Sequence, residues 1–297
     1  MTPIRLLTFN TGLFQFRLFN RGLIDPIVYP DIRASHLVDA LLETGADIIA
    51  LQEVFTFEHL RLLQNGLATT YPHHATTHHR PDLYHFKYHT GLSIFSKFPL
   101  ESHEIHRFQA VPFEEGLWMD KGFQTVTAIT PLGRINLGNV HLTSGGMHRN
   151  PEAPSMIAVR NRQIEDVVEK LHARSGDLRI ILGDFNSGPG SSPENYHHAL
   201  SQGYIDLFEK HPHPEEHVKT VTWELSNPLN AREFYKNPTL QRLDHILLDN
   251  ASADHFDVHE SKIILHEPRV HLPNGKSVTL SDHYGVTTVI GRKNTSI

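Results

Sequence analysis

Short apolar runs alternate with stretches of helical spacing along most of the chain. Leu6 to Phe9 reads as a buried strand. Thr11 to Tyr29 is a Gly- and aromatic-bearing loop in which Phe14, Phe16, Leu18 and Phe19 can line a cleft or pack a core. Pro30-Asp31 opens a helix, since both residues suit a first turn; Ile32, Leu37, Ala40, Leu41 and Leu42 then recur near helical spacing until Gly45 closes it. Asp47 to Leu51 is the next strand, Phe57 to Leu67 the next helix, and Gly91 to Phe95 a strand ended by Lys97-Phe98-Pro99. Gln124 to Thr130 and Arg134 to His141 form a hairpin around Pro131-Leu132-Gly133. Ser155 to Ala173 is the longest helix, with Ile157, Ile164, Val167, Val168 and Leu171 on one side. Leu178 to Leu182, Leu243 to Leu248 and Val286 to Ile290 are the remaining core strands. No short-period repeat is present, and the alternation specifies an α/β protein.

Composition narrows this picture modestly. Of 297 residues, 39% are hydrophobic and 20% charged, and no stretch has the character of a linker, so one domain over residues 1–297 is expected. Zero cysteines exclude a disulfide, a thiolate metal site and a Cys nucleophile. Met1 to Leu7 runs directly into a strand without a signal-peptide pattern, and no run reaches membrane-spanning length. A cytoplasmic or peripheral-membrane location is expected, with any membrane met from its surface. The formal charge of −6 leans away from extended nucleic-acid binding.

The chemistry gathers where strands end. Asn10 follows Thr8-Phe9, Gln52-Glu53 follows Ile48 to Leu51, His141 follows Asn139-Val140, and Leu182-Gly183 gives way to Asp184-Phe185-Asn186. Near the end of the chain stands Ser281-Asp282-His283. Such ends project polar groups over the rim of a buried sheet, and Glu, Asp, Asn and His without Cys suit a hard cation and phosphate-ester chemistry. Each residue alone has a plainer account. Glu53 can be a solvated strand-end carboxylate, Asn10 a turn residue, and His141 structural. Asp184 and Asn186 can stabilise a turn before Gly188-Pro189-Gly190, although an extended segment would point both to one side. His283 is a candidate general base. Asp282 faces away from it as a strand neighbour, so Asp244, entering a core strand after Arg242-Leu243, is the better orienting partner; the alternative for Asp244 is a salt bridge to Arg242 or another base.

In this order, Asn10, Gln52-Glu53, Gly91 to Lys97, Asn139 to Leu142, Gly183 to Asn186, Arg242 to His245 and Ser281 to His283 resemble the endonuclease/exonuclease/phosphatase superfamily across essentially the whole chain. The resemblance implies a four-layer α/β/β/α sandwich (DNase I-like), two packed mixed sheets flanked by helices, and Mg²⁺-dependent cleavage of a phosphate ester, with Mn²⁺ or Co²⁺ as other candidate metals. It implies Glu53 as metal ligand assisted by Asn10, with Asp282 the metal-side carboxylate. Asp184 and Asn186 would position water and phosphate, His283 with Asp244 would form the base dyad, and His141 would bind phosphate or serve the leaving group. Within the superfamily, Asp120-Lys121-Gly122, Thr222-Trp223-Glu224 through Asn227-Pro228-Leu229, and Arg160 to Gln163 resemble neutral sphingomyelinases. Lys121 could then neutralise a phosphate oxygen and Trp223 could meet a quaternary ammonium, where a surface Lys and a core Trp are the plain alternatives. Two departures stand out. The segment from Ile263 to Ser281 lacks an exposed aromatic pair, and Thr90 stands where many members carry an acid, leaving His141 without an assigned partner.

The expected activity is hydrolysis of sphingomyelin or a related phosphocholine lipid to ceramide, or a diacylglycerol or lyso product, and phosphocholine, by His-activated water. The expected partner is a phospholipid at a membrane surface, met by a monomer without a transmembrane anchor; nucleic acid is disfavoured. The alternatives are an endonuclease or soluble phosphoester phosphatase using the same site, and a binding scaffold without catalysis. Among the 24 histidines, His73-His74, His78-His79, His85 and His89 with Asp82 could form a second metal site, but adjacent pairs chelate poorly and a solvated polar loop is the expectation.

Overall fold

The computed structural model describes residues 2–18, 21–24, 27–77, 89–144, 150, 152–213, 219–230 and 241–293, with only the backbone of 16–18, 21–24 and 118. In chain order its elements are β1 (Ile4–Asn10), β2 (Phe16–Leu18), β3 (Arg21–Ile24), α1 (Pro30–Glu43), β4 (Ile48–Gln52), α2 (Phe57–Leu67), β5 (His73–Thr76), β6 (Ser93–Ser96), β7 (Leu100–Arg107) and α3 (Phe113–Trp118). They continue as β8 (Gly122–Thr130), β9 (Gly133–His141), α4 (Pro154–His172), β10 (Leu178–Asp184), α5 (Pro193–Ser201), β11 (Tyr204–Asp206) and α6 (Leu207–Lys210). The last are β12 (Asp244–Asp249), α7 (Asn250–Ala253), β13 (Phe256–Ile264), β14 (Val270–His271), β15 (Ser277–Val278) and β16 (Gly285–Arg292).

One six-stranded sheet runs β13-β16-β1-β4-β6-β5 and a second runs β11-β12-β10-β9-β8-β7. Both are mixed: β1 is parallel to β4 and antiparallel to β16, and β10 is parallel to β9 and antiparallel to β12. Side-chain alternation assigns each strand's two faces. Ile4 and Leu6 of β1, with Ile48 and Ala50 of β4, pack between the sheets against Leu137, Ile180, Leu182 and Ile246. The intervening Leu7, Phe9, Ile49 and Leu51 face outward onto Leu37 and Leu41 of α1 and Leu60 and Leu63 of α2. On the far side Val140, Ile181 and Leu247 pack under Ile164, Val167 and Leu171 of α4. The result is the expected α/β/β/α sandwich.

The elements read from apolar periodicity recur with shifts of a few residues. Two features differ. The Thr11 to Tyr29 loop contains the short antiparallel ribbon β2–β3. The polar strands β5, β7 and β13 lie at or beside sheet edges, where solvent covers one side and no apolar run is needed. β7, for example, is Leu-Glu-Ser-His-Glu-Ile-His-Arg and largely exposed.

Candidate active site

The inward face of each central strand, followed to its end, changes from apolar to polar. On β1 the series is Ile4, Leu6, Thr8, Asn10; on β4 it ends at Gln52; on β9 it is Ile135, Leu137, Asn139, His141; on β10 it is Ile180, Leu182, Asp184. Register then sets neighbours side by side, with Asn10 opposite Gln52 and Asp184 flanked by His141 and Asp244. Alternation and register alone therefore collect these groups at one mouth of the sandwich.

Beneath them lies a buried polar layer. Gln52 Nε2 donates to Asn139 Oδ1 at 2.8 Å, and Asn139 Nδ2 donates to the Leu51 and Ser93 carbonyls at 3.1 and 3.2 Å. These bonds cross from one sheet to the other and satisfy amides that would be costly to bury alone.

Asp184 is the hub above that layer. Its Oδ2 accepts from Asn10 Nδ2 at 2.9 Å and lies 3.6 Å from His141 Nε2 and 3.8 Å from His283 Nε2. Its Oδ1 accepts the Asn186 backbone N–H at 2.8 Å. Asn186 has φ 48°, so the extended geometry expected for this segment gives way to a turn, and Asn186 Nδ2 donates to the Leu142 carbonyl at 3.0 Å. The turn and the site are thus one structure. Asn10 also donates to Glu53 Oε1 at 3.2 Å, while its own Oδ1 accepts from Gly12 N at 3.0 Å. Its amino group bridges two carboxylates, where an oxygen ligand was expected. Glu53 follows β4 in a left-handed conformation, φ 60°, a strained state for a residue with a side chain.

His283 Nδ1 lies 2.9 Å from Asp244 Oδ2, and both side chains are buried. The Arg242 alternative for Asp244 fails, because Arg242 pairs with Asp206 and Glu209. Asp244 Oδ1 is buried without a hydrogen-bond partner among the described residues. Asp282 points elsewhere than His283: its Oδ1 accepts from Ser281 Oγ at 3.1 Å. A Cβ at Gly12 would stand 2.5 Å from that oxygen, so the approach of the two loops requires glycine.

Lys121 is buried, with Nζ 3.4 Å from the Leu142 carbonyl and 3.4 Å from Glu115 Oε2. The surface-Lys alternative is therefore set aside. Trp223 is buried and bridges through its backbone to Gln241 and His283, which fits a core role. Thr90 Oγ1 is buried and unpartnered among the described residues, so it supplies nothing to His141. The segment from Ile263 to Ser281 carries the β14–β15 hairpin, whose exposed tip is Pro273-Asn274-Gly275-Lys276. Phe14 meets Phe55 edge-on at 4.9 Å. Of the other residues singled out, Phe19, His78, His79, Asp82 and His85 lie outside the described residues.

Several supporting residues carried no role in the sequence reading. Buried Arg33 donates to the Thr11 and Leu280 carbonyls at 2.9 and 2.8 Å, joining the loops that carry Asn10 and His283. Asn227 and Asn230 donate to the carbonyls of Ser281 and Asp282 at 2.9 and 3.0 Å, which gives the Asn227-Pro228-Leu229 stretch a physical purpose. Arg160 and Gln163 hold Thr143: the guanidinium donates to its carbonyl at 3.2 Å and Gln163 Oε1 accepts its N–H at 3.0 Å. For Arg33 and Arg160 an Arg spaced helically from apolar neighbours was the available signal.

Burial sets the electrostatics. Glu53 is pushed up to about 7 by burial and next by Asp282. Asp184 is raised to about 6, again by burial first, with Asp244 adding to it and His283 opposing. For His283 burial works against the charged form, but Asp244 and Asp184 outweigh it and hold the ring well above its usual range. His141 goes the other way, lowered by burial, then by Lys121 and His283. The two imidazoles of one site are thus pushed in opposite directions. Asp184, Asp244 and His283 have ligand atoms within 4.8 Å of one another, a candidate metal site. The donor set fits a hard divalent cation: it is rich in carboxylate oxygen, and buried carboxylates that repel one another are stabilised by a bound positive charge.

These features define a class of α/β sandwich whose polar site sits at the strand ends, between the two sheets. The chain belongs to the endonuclease/exonuclease/phosphatase family, whose profile matches residues 7–283. It is 29% identical over 232 residues to the inositol phosphosphingolipids phospholipase C of Saccharomyces cerevisiae, covering 70% of this chain and 46% of that protein. The chain thus spans about half the length of this relative. Sphingomyelinase C from Streptomyces griseocarneus has the same fold, with a TM-score of 0.76 at 22% identity over 97% of this chain and 99% of that one. A beta toxin variant from Staphylococcus aureus, solved with bound magnesium ions, matches with a TM-score of 0.72 at 18% identity over 97% and 99% of the two chains.

Proposed function

We propose that the protein is a Mg²⁺-dependent phosphodiesterase of phospholipase C type acting on sphingomyelin or a related phosphosphingolipid. The observation that carries the chemistry is the arrangement of Asp244, His283 and Asp184: one imidazole nitrogen is tied to a buried carboxylate, and the other faces the centre of the site. The names of the relatives above support the substrate. Glu53, with Asp282 beside it, would hold the cation, and the Asn10 amide would orient the Glu53 carboxylate. Bound there, Mg²⁺ would supply positive charge against the phosphoryl oxygens and against the carboxylates that surround His283.

The chain's own residues supply the rest. Asp244 accepts the Nδ1 proton of His283, which fixes the ring and leaves Nε2 free of a proton in the reactive state. Nε2 takes a proton from a water positioned by Asp184 as the water oxygen bonds to phosphorus. The opposite P–O bond breaks, releasing phosphocholine and a ceramide alkoxide that takes its proton from solvent, to which His283 returns the one it accepted. His141, kept neutral, donates a hydrogen bond to a phosphoryl or leaving oxygen, and Lys121 and Asn186 stand behind it at the Leu142 carbonyl.

The test is phosphocholine release from sphingomyelin in mixed micelles, with Mg²⁺ and with chelator, for the wild type and His283→Ala. Metal-dependent release that disappears in the variant supports the reading. Cleavage of DNA or a soluble phosphomonoester instead, with no lipid turnover, would keep the chemistry and discard the substrate.

A further inference from the structure

α3 is short and two-sided. Phe113 and Leu117, one helical turn apart, are 79% and 50% exposed, although both are large apolar residues. Glu115, between them in sequence, turns the other way. Its Oε2 accepts at 2.5 Å from Oγ1 of Thr143, two residues beyond His141, and lies 3.4 Å from Lys121 Nζ. The segment leading into the helix is equally fixed. Gln109 N donates to Asp166 Oδ2 and Gln163 Nε2 donates to the Ala110 carbonyl, both at 2.9 Å, and Phe108 is buried in the core under α4. A rigidly mounted helix that presents apolar side chains to water marks an interaction surface.

We propose that α3 is the element through which the protein seats on a zwitterionic lipid surface, with Phe113 and Leu117 entering the interface. The proposal rests on the reading that the substrate is a lipid phosphodiester. Such a substrate presents its scissile bond at the headgroup level, so the rim bearing His141 and Lys121 must meet the bilayer, and α3 belongs to that rim through Glu115. Charge selects the kind of surface. The chain carries −6 overall, and this segment holds Glu114, Glu115 and Asp120 against Arg107 and Lys121, with Arg107 already paired to Asp120 at 3.1 Å. Attraction to anionic lipid is therefore lacking, and apolar insertion is what remains. The β14–β15 tip, being polar, does not offer the same contact.

The experiment is co-flotation with phosphatidylcholine/sphingomyelin vesicles in the presence of chelator, so that binding is read without turnover. It compares the wild type, the double variant Phe113→Ala with Leu117→Ala, and Phe113→Leu, which keeps the apolar surface. Hydrolysis of a water-soluble phosphodiester, bis-p-nitrophenyl phosphate, is followed in parallel with Mg²⁺. The expected result is that the double variant partitions on the order of tenfold or more weakly, Phe113→Leu binds close to wild type, and soluble turnover is equal in all three. Added phosphatidylserine should not strengthen binding. Wild-type and double-variant proteins that partition alike, or a wild type that does not bind vesicles, would overturn the proposal. Vesicle binding through Phe113 and Leu117 without headgroup release would leave the docking face standing and remove sphingomyelin as substrate.

Discussion

Asp244 Oδ2 and His283 Nδ1 are 2.9 Å apart, contributed by the first residue of β12 in one sheet and the residue two before β16 in the other. The pair, proposed above as the base dyad, therefore exists only when the two sheets are packed. His283→Ala should lower kcat by about 10²–10⁴-fold, the usual cost of a lost general base. Asp244→Asn should cost about as much, because the amide can offer an N–H to Nδ1 and so favour the wrong tautomer. The double variant should be little worse than either single, since the two act as one unit. Steady-state kinetics on any substrate the wild type turns over checks this; additive losses would mean that Asp244 acts independently of His283.

On the proposed reading, Glu53 holds the cation. Its carboxyl is raised to about 7 by burial and Asp282, so charge there opposes folding when no cation is bound. Glu53→Gln should leave the melting temperature of the metal-free protein unchanged or higher. The same substitution should abolish most of the stabilisation by Mg²⁺, which for the wild type should reach about 2.7 kcal/mol at a hundred times Kd. Differential scanning calorimetry with and without the metal reads both. A full Mg²⁺ shift in the variant would place the ion on the Asp184, Asp244 and His283 cluster instead.

The strands that carry these groups were legible because they are buried on both faces. Leu6 to Phe9 and Leu178 to Leu182 are predominantly apolar, interrupted only by Thr8 and Arg179, and a polar residue at the end of such a run stands out. The pairing of Asp244 with His283 was readable too, because a buried carboxylate needs a donor and strand alternation excludes Asp282. Edge strands such as β7 were not legible, since solvent replaces half their packing and their sequence looks like loop. Nor was the direction of the Asn10 amide. Its choice between ligand and bridge depends on Gly12 N, whose position is fixed by a left-handed φ of 57° that sequence alone does not place.

Gln163 illustrates support at a distance. From α4 it accepts the Thr143 N–H and donates to the Ala110 carbonyl, so it joins the end of β9 to the segment before α3. Gln163→Ala leaves a buried donor and acceptor unpaired, at a cost of about 1–3 kcal/mol each. A lower melting temperature is expected, together with a roughly tenfold fall in kcat at similar KM, because Thr143 also holds Glu115 and, through it, Lys121. Unchanged kcat alongside the stability loss would show that this brace serves folding alone.

Asp206 offers a stability prediction away from the reacting groups. It is buried beside Arg242 and His245, whose Nδ1 lies 3.1 Å from Asp206 Oδ2 and whose Nε2 lies 2.8 Å from the Ser187 carbonyl. Burial disfavours the charged carboxylate, but the hydrogen bond and charge of His245, joined by Arg242, hold its pKa far below the ordinary range. A carboxylate whose folded pKa is depressed contributes stability that is fully present above its unfolded pKa, about 3.9, and is lost as pH falls toward the folded value. In Asp206→Asn that contribution is missing throughout, and Arg242 loses its buried partner, so unfolding at pH 7 should be easier by about 3–5 kcal/mol. Below about pH 4 the gap between the two proteins should narrow, because the wild type is then losing what the variant never had. Urea unfolding at several pH values between about 7 and 2.5 measures the gap. A gap that stays constant down to the lowest pH would mean that folding does not depress the Asp206 pKa, so that its charge contributes nothing to the fold.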